Sequence, residues 1–250
     1  LLQKPFVSDL MRLNKSFIVH RSLSGRREKL AAFQLLSAYI NHSIRHDCQS
    51  IWIAQAEGRA KDGNDRTDSA ILKMFHMSRK DQPFAEVIGQ LHVIPVSISY
   101  EYDPCDQAKA RELSIRASTG SYEKAQGEDD ASIGLGITGY KGRVHLHFGD
   151  EMDGEIEDAR QLATAIDQVI LTHYRLFPVH YLAYAQWADQ DAEIQVPSMV
   201  ELFSADELRR AEGEWQRRLD RCPQEYRASL IMQYANPVRS HYRIKAGLPL

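Results

Sequence analysis

The chain has 250 residues, of which 43% are hydrophobic and 26% are charged, and its formal net charge is −3. This composition indicates a soluble globular protein with one sizeable core, and it argues against a sequence-independent nucleic-acid binder, which needs a clear basic excess. The three cysteines are odd in number and widely spaced, which predicts neither a disulfide framework nor a zinc site. No run of about 18 uncharged apolar residues is present, so we expect a cytoplasmic protein with at most peripheral membrane contact.

The N-terminal part of the chain carries a local basic excess. Residues 9–30 hold six basic side chains and two acidic ones, a balance that suits an anionic substrate or the cytoplasmic face of an anionic membrane. Residues 16–19 form a short apolar run that predicts a strand, and Arg21 follows it. Residues 26–44 then repeat apolar side chains at helical spacing. We therefore predict a strand and a helix on either side of Arg21.

The next segment combines an apolar run with a dense set of charges and glycines. Residues 50–54 have the bulk and β-branching of a buried strand, and Glu57, Gly58, Arg59 and Lys61 come soon after it. In open α/β sheets ligands bind at strand ends, and arginine and lysine close to a glycine suit a phosphate, because they supply charged donors beside an accessible backbone. The sequence predicts a phosphate site here, with a solvated position an equal alternative for Lys61.

Further elements follow this charged segment. Thr67 and Asp68 are predicted caps of a short helix. Residues 91–100 predict a third strand, in which Pro95 marks a bulge or a strand end beside a cavity, because proline lacks the donor that a sheet requires. Residues 119–132 are polar and contain glycines, which predicts a mobile loop.

A fourth strand and a helical remainder complete the pattern. Residues 143–148 alternate between apolar and polar side chains, and Ser204 and Glu207 form a capping box within a helical C-terminal part. The alternation of strands and helices predicts an α/β fold with a mostly parallel sheet flanked by helices. We assign residues 1–175 to this α/β domain and residues 176–250 to a helical C-terminal extension.

Four sequence blocks occur in the order found in a known family. They are Phe17-Ile-Val-His-Arg21, Glu57-Gly58-Arg59, Val93-Ile-Pro95-Val and Gly142-Arg-Val-His-Leu-His-Phe-Gly149. On these blocks the chain, over roughly residues 15–150, resembles the glycerolphosphate acyltransferase superfamily. One spacing departs from the family, since many members place two residues between the glutamate and the arginine of the second block and this chain has one.

The resemblance implies a function in phospholipid biosynthesis. The reaction would be acyl transfer from an acyl-CoA or acyl-carrier-protein thioester to a hydroxyl of glycerol phosphate or lysophosphatidate, without a metal or another cofactor. Arg21 and Arg59 would hold the acceptor phosphate, and Glu57 and Gly58 would shape the glycerol pocket. A planar guanidinium suits this role because it binds phosphate through two parallel hydrogen bonds and so fixes a flexible acceptor. Lys61 and Pro95 complete the predicted substrate site.

The family's catalytic motif has no counterpart in this chain. In the family a histidine followed by four residues and an aspartate precedes the basic strand and supplies the general base. Residues 1–14 contain no histidine, so we expect the α/β domain to be N-terminally incomplete and the chain alone to be inactive. His145 and Asp150 have the same spacing, but five steps of extended strand separate two residues by roughly 16 Å and turn them to opposite faces. No catalytic residue is therefore assigned.

Two further readings of the sequence remain. The chain is alternatively a non-catalytic module that binds phosphate or a lipid headgroup and has discarded the chemistry. His42 and His46 are spaced as a metal-binding pair on a helix, but no third ligand accompanies them, and a solvated helix face is the preferred interpretation.

Overall fold

A computed structural model of the chain describes residue 9 and residues 25–56, 60–154, 156–187 and 191–250. These residues are mainly helical and contain one two-stranded antiparallel sheet. The prediction of an α/β fold with a mostly parallel sheet flanked by helices is therefore wrong.

The error lies in the strands. The predicted strand at residues 16–19 lies outside the described residues, and residues 50–54 have no regular structure and leave Trp52 and Ile53 exposed. The other two predicted strands pair with each other, in antiparallel orientation. A run of β-branched and aromatic residues becomes a strand only where a partner accepts its hydrogen bonds and packs its side chains, which composition alone does not provide.

The described residues form ten α-helices, two strands and two short 3₁₀ helices, Met77–Arg79 and Gln224–Tyr226. The helices are α1 Arg26–Arg45, α2 Ser69–His76, α3 Phe84–Gly89, α4 Asp106–Thr119, α5 Glu128–Thr138, α6 Ala159–His173, α7 Pro178–Gln186, α8 Met199–Leu202, α9 Ala205–Arg221 and α10 Arg227–Lys245. Strand β1 Val96–Tyr100 lies between α3 and α4, and strand β2 Val144–Phe148 lies between α5 and α6. None of the helices in these parts of the chain is long and apolar enough to cross a membrane.

The caps predicted at Asp68 and Ser204 are formed, whereas Thr67 binds Asp167 of α6 and does not cap α2. Asp68 accepts a hydrogen bond from the Ala70 amide at 2.8 Å and starts α2. At α9 the Ser204 hydroxyl accepts from the Glu207 amide at 3.3 Å, and the Glu207 carboxylate accepts from the Ser204 amide at 3.1 Å, which confirms the capping box. The prediction of a loop at residues 119–132 is only partly correct, because α5 begins at Glu128, within that range.

Two apolar clusters hold the helices together. One joins α7, α9 and α10 with the chain after β1; its fully buried members include Val179, Leu230 and Val238. The other joins α1, α2, α3 and α6, and Leu162 is its most deeply buried residue. Burial of one such side chain contributes about 1.5–3 kcal/mol to folding. Helix α6 also contacts both β1 and α10, so the two clusters meet along it.

The two-stranded sheet turns its apolar face outward. Opposite residues in an antiparallel pair share a face. One face carries the pairs Val96 with Phe148, Ile98 with Leu146 and Tyr100 with Val144, whereas the other carries Ser97 with His147 and Ser99 with His145. The polar face packs against α6 and its C-terminal connection. There the Ser97 hydroxyl donates to the Ile170 carbonyl at 3.0 Å, and the Ser99 hydroxyl accepts from the Arg175 amide at 2.8 Å. All three β2 side chains of the apolar face are exposed.

Candidate functional site

Four of the six predicted substrate-binding residues, namely Arg21, Glu57, Gly58 and Arg59, lie outside the described residues. The fifth, Lys61, forms an ion pair with Glu112 of α4, whose carboxylate is also bound by Arg116 at 2.9 Å. This buried carboxylate holds Lys61 against α4, so the solvated alternative does not describe Lys61, and its phosphate contact stays a prediction.

The sixth residue, Pro95, immediately precedes β1. Its carbonyl accepts a hydrogen bond from the Gly149 amide at 2.9 Å, just beyond the end of β2. The prediction that Pro95 marks a strand end is confirmed. Because Lys61 binds α4 and Pro95 lies at the sheet, the two residues occupy different elements.

The chain that follows residues 57–59 is held closely against α10. We call residues 60–67 the docked loop. Its Asp62 carbonyl accepts from the Asn236 side-chain amide at 2.7 Å, and its Asn64 side chain accepts from the Ser240 hydroxyl at 3.3 Å. Gly63 has a φ of +72°, and a Cβ atom at this position would lie 2.0 Å from the Gln233 carbonyl oxygen. Only glycine permits this close approach to the helix backbone.

The end of the docked loop is fixed to α6. Both the amide and the hydroxyl of Thr67 donate to one carboxylate oxygen of Asp167, at 2.8 and 2.5 Å. Burial raises the pKa of the Asp167 carboxyl, and these two hydrogen bonds oppose the shift. Together with the Lys61 ion pair, these contacts hold the docked loop on α4, α6 and α10.

Arg66 lies in the docked loop without a compensating partner in the described chain. Its side chain is half-buried, and among the described residues it forms neither a hydrogen bond nor an ion pair. Burial lowers the pKa of its guanidinium, the Asp167 carboxylate raises it, and the neighbouring charges of Arg239 and Arg243 lower it further. A half-buried cation beside two others marks a place where an anion is favoured.

Arg239 and Arg243, in contrast, are compensated by carboxylates. Both bind Asp191, at 3.1 and 2.6 Å, and Arg243 also binds Glu193 at 3.0 Å. The hydrogen bond from Arg243 is the main cause that lowers the pKa of the Asp191 carboxyl to about 2. Of these three arginines, Arg66 is therefore the one left to form an ion pair with an anion.

Asp65 precedes Arg66 and carries the opposite perturbation. Burial raises the pKa of its carboxyl, Lys109 opposes this shift, and the nearby carboxylates of Asp62, Asp167 and Asp103 add to it. A carboxyl among other carboxylates tends to hold a proton and can then donate a hydrogen bond. Asp65 and Arg66 are consecutive in the docked loop but have different charged neighbours, Lys109 and carboxylates for Asp65, and Asp167, Arg239 and Arg243 for Arg66.

Sequence reasoning missed Asp65 and Arg66. The interpretation stopped at the glycine block and Lys61, although the same run of charges continues through Asp62, Gly63 and Asn64 to these two residues. The available signal was Gly63. A glycine inside a run of polar and charged residues indicates a second turn after the Glu57-Gly58-Arg59 block.

The other candidate pairs do not form catalytic or metal sites. Strand β2 keeps the chain extended between His145 and Asp150, and these two residues line different cavities. The rings of His42 and His46 lie 4.9 Å apart, and His42 approaches Asp47 at 3.6 Å. In the described parts of the chain, no group of three histidine, cysteine, aspartate or glutamate side chains is placed to hold a metal ion.

A buried polar network between α4, α9 and α10 is internally satisfied. Arg218 and the Tyr234 hydroxyl both donate to one oxygen of the Asp106 carboxylate, at 2.5 and 2.8 Å. The Arg218 guanidinium also lies 4.7 Å from the Tyr102 ring centroid. Because its charges pair with each other, this network joins helices and leaves no charge for a ligand.

No protein-family model matches the chain, and no curated protein or solved structure matches it either.

Proposed function

We propose that the chain holds a glycerol-phosphate-type acceptor and serves acyl transfer to it from an acyl-CoA or acyl-carrier-protein thioester. The observation that carries the proposal is the docked loop. It comes directly after the Glu57-Gly58-Arg59 block and is fixed on three helices, and its Arg66 forms no ion pair with a described residue. A rigid loop that presents an arginine suits recognition of a phosphate.

Electrostatics favour a phosphate at this position. A guanidinium binds two phosphate oxygens through parallel hydrogen bonds, which fixes both the charge and the orientation of the ligand. Arg66 follows Arg59 by seven residues in the same charged segment of the sequence.

The acyl-transfer step rests on the resemblance of the sequence blocks. The family's general base has no counterpart in residues 1–14. Our expectation is that the 250-residue chain binds the acceptor without turning it over, and that a version preceded by a His-x4-Asp segment releases thiol from an acyl-CoA in the presence of glycerol 3-phosphate. Turnover by the 250-residue chain that is lost in His145→Ala would contradict this division of roles.

A second candidate function is a module that binds a phosphate or lipid headgroup without chemistry, because Arg66, which forms no ion pair with a described residue, serves binding in either case. The two candidates share the acceptor site and differ in turnover. Binding of glycerol 3-phosphate with no thiol release from the version preceded by the His-x4-Asp segment would favour the module.

Acceptor binding is tested by isothermal titration of glycerol 3-phosphate into the wild type, Arg66→Ala, Arg66→Lys and the control Arg210→Ala. Arg210 is an exposed arginine of α9, so its variant makes the same charge change away from the docked loop. Loss of a charged hydrogen bond costs about 1.5–3 kcal/mol, which corresponds to roughly 10- to 100-fold weaker binding. We expect this loss in Arg66→Ala, a smaller loss in Arg66→Lys and none in the control. Equal affinity of the wild type and Arg66→Ala would refute the proposal.

A further inference from the structure

A second concentration of positive charge lies on the other side of Tyr174, in an open cleft of about 480 Å³. We call it the basic cleft. Its charged and titratable lining is His145 of β2, His173 and Arg175 at the end of α6, and His241 and Lys245 of α10. Of the residues that the structure describes, no aspartate or glutamate lines it, although the whole chain has a net charge of −3. The basic cleft therefore has an electrostatic character opposite to that of the molecule.

Its two fixed cations lack counter-ions in the described chain. Arg175 is placed by its backbone, which donates to the Ser99 hydroxyl at 2.8 Å, and its exposed side chain forms no ion pair with a described residue. The Lys245 ammonium lies 5.5 Å from the Tyr242 ring centroid and likewise has no carboxylate partner within the described residues. Cations that remain uncompensated in a concave site favour an anionic ligand.

Two histidines of the cleft are oriented by the backbone. His173 Nδ1 lies 2.9 Å from the Val169 carbonyl oxygen, and His241 Nδ1 lies 2.8 Å from the Leu171 carbonyl oxygen. Because a carbonyl only accepts, Nδ1 carries the proton in both rings and Nε2 is left for another partner. The His147 ring stacks on His173 at 3.9 Å and fixes its plane further.

The helix dipole explains only part of this arrangement. His173 and Lys245 are the last residues of α6 and α10, where cations stabilise the negative end of a helix. Arg175 and His145 lie outside helices, so the dipole does not account for their presence. The helix dipole also does not explain why acidic residues line the neighbouring cavity, at Asp150, Glu151 and Asp153, but not the cleft itself.

The remaining lining is aromatic and apolar. Tyr174, Tyr181, Phe203 and Tyr242 contribute rings, and the hydroxyls of Tyr181 and Tyr242 lie 2.9 Å apart. One of these two hydroxyls donates to the other, which leaves the second proton for a ligand. Rings beside uncompensated cations suit an organic phosphate that carries a flat ring better than they suit an inorganic ion.

We propose that the basic cleft binds the phosphate group of a small organic phosphate bearing an aromatic ring, with Arg175 and Lys245 as its charged ligands. This site is separate from the docked loop, and the inference does not depend on the proposed acyl transfer. The acidic cavity next to it shares His173. Because acidic residues line that cavity and Arg175 and Lys245 line the basic cleft, we expect the phosphate at the end that holds these two cations.

The test is isothermal titration of adenosine 5′-phosphate, inorganic phosphate and adenosine into the full chain. We compare the wild type, Arg175→Gln, Lys245→Gln and the double variant with Arg210→Gln, a change at an exposed arginine of α9 that does not line the cleft. Each lost charged contact should weaken binding of adenosine 5′-phosphate by roughly tenfold. Inorganic phosphate should bind more weakly, adenosine should not bind measurably, and Arg210→Gln should equal the wild type.

Two measurements separate this site from the docked loop and from an effect on folding. Arg66→Ala should leave binding of adenosine 5′-phosphate unchanged, and Arg175→Gln should leave binding of glycerol 3-phosphate unchanged. Imidazole nitrogen resonances of His173 should shift on addition of adenosine 5′-phosphate to the wild type and stay in place in the double variant. Equal affinity of the wild type and the double variant, or a loss of affinity in Arg66→Ala alone, would overturn the proposal.

Discussion

Gly63 sets the position of the docked loop at the scale of a single residue. Its positive φ is a conformation that residues with a Cβ adopt only with strain, and its Cα faces the Gln233 carbonyl and the Pro237 ring of α10. The backbone on both sides is fixed by Asn236 and Ser240. A side chain at position 63 would therefore have to push the docked loop away from the helix.

We expect Gly63→Ala to lower the free energy of unfolding by about 1–3 kcal/mol, because it adds both φ strain and a clash with backbone. The matched control is Gly213→Ala in α9, where a Cβ meets nothing within 4 Å. An alanine in a helix is more favourable than glycine by about 0.5–1 kcal/mol, so the control should be more stable than the wild type. Urea unfolding measures both, and changes of the same sign in the two variants would contradict this account of Gly63.

Arg66 illustrates how one residue's role depends on its neighbours. Arg239 and Arg243 are the same residue type in the same region, yet Asp191 satisfies both of them. Only the position of Arg66, behind a glycine turn that is locked onto α10, leaves it available to an anion. Charge counts along the sequence do not reveal which of several arginines is compensated.

At the scale of the elements, the sheet has the reverse of the usual polarity. Serines and histidines of β1 and β2 face α6, where Ser97 and Ser99 bind the backbone of that helix and of its C-terminal connection, while the apolar residues face outward. Strand alternation in the sequence predicts that the two faces differ. It does not predict which face the helix covers, because that choice depends on hydrogen bonds to distant backbone groups.

Leu146 and Leu162 provide a test of this polarity with the same chemical change. Leu146 is 49% exposed on the outer face of β2, whereas Leu162 of α6 is fully buried. Truncation of a buried leucine to alanine costs about 2–5 kcal/mol, and surface substitutions usually change stability by about 0.5 kcal/mol or less. We expect Leu162→Ala to lose the larger amount in urea unfolding and Leu146→Ala less than about 1 kcal/mol. A similar loss in both would show that the outer face is covered.

How much the sequence predicts depends on the range of the interaction. The caps at Asp68 and Ser204 were predicted correctly, since each is decided by residues two or three positions away. The parallel sheet was predicted wrongly, because it needs pairing between segments such as residues 50–54 and partners far along the chain. Arg66 was missed for the same reason: its availability is decided by Asn236 and Ser240, more than 150 residues later.

At the scale of the whole molecule, α10 joins the parts of the structure. It packs on α7 in one apolar cluster and contacts α6, which belongs to the other cluster. It also binds the docked loop through Asn236 and Ser240 and carries His241 and Lys245 of the basic cleft. Both proposed anion sites therefore depend on one helix. Loss of its packing should weaken both sites together, whereas the single substitutions at Arg66 and Arg175 should separate them.

Buried histidines make the stability of the whole molecule depend on pH. His180 of α7 is 2% exposed and accepts a hydrogen bond from the Phe177 amide at Nδ1, at 2.9 Å. Burial lowers the pKa of this histidine from 6.5 to about 3. Burial also lowers the pKa of His241, and the charge of Lys245 adds to the shift. Both rings are thus held neutral in the folded chain.

A histidine whose pKa is lower in the folded than in the unfolded state binds a proton first in the unfolded state. Its contribution to stability is complete above pH 6.5, and it is lost as the pH falls through the window from 6.5 towards about 3. Burial has raised the pKa of Asp65, Asp106 and Asp167, which acts in the opposite direction as these carboxyls become protonated. The total profile therefore mixes signs, and only a comparison of variants isolates His180.

We expect the wild type to lose about 2 kcal/mol of unfolding free energy through His180 between pH 6.5 and 5.0, since each pH unit within the window contributes about 1.4 kcal/mol. His180→Asn keeps a neutral acceptor for the Phe177 amide and does not titrate there, so its loss over the same range should be smaller by that amount. Urea unfolding at the two pH values measures both proteins. Parallel losses in the wild type and His180→Asn would mean that His180 is protonated equally in the folded and unfolded chains.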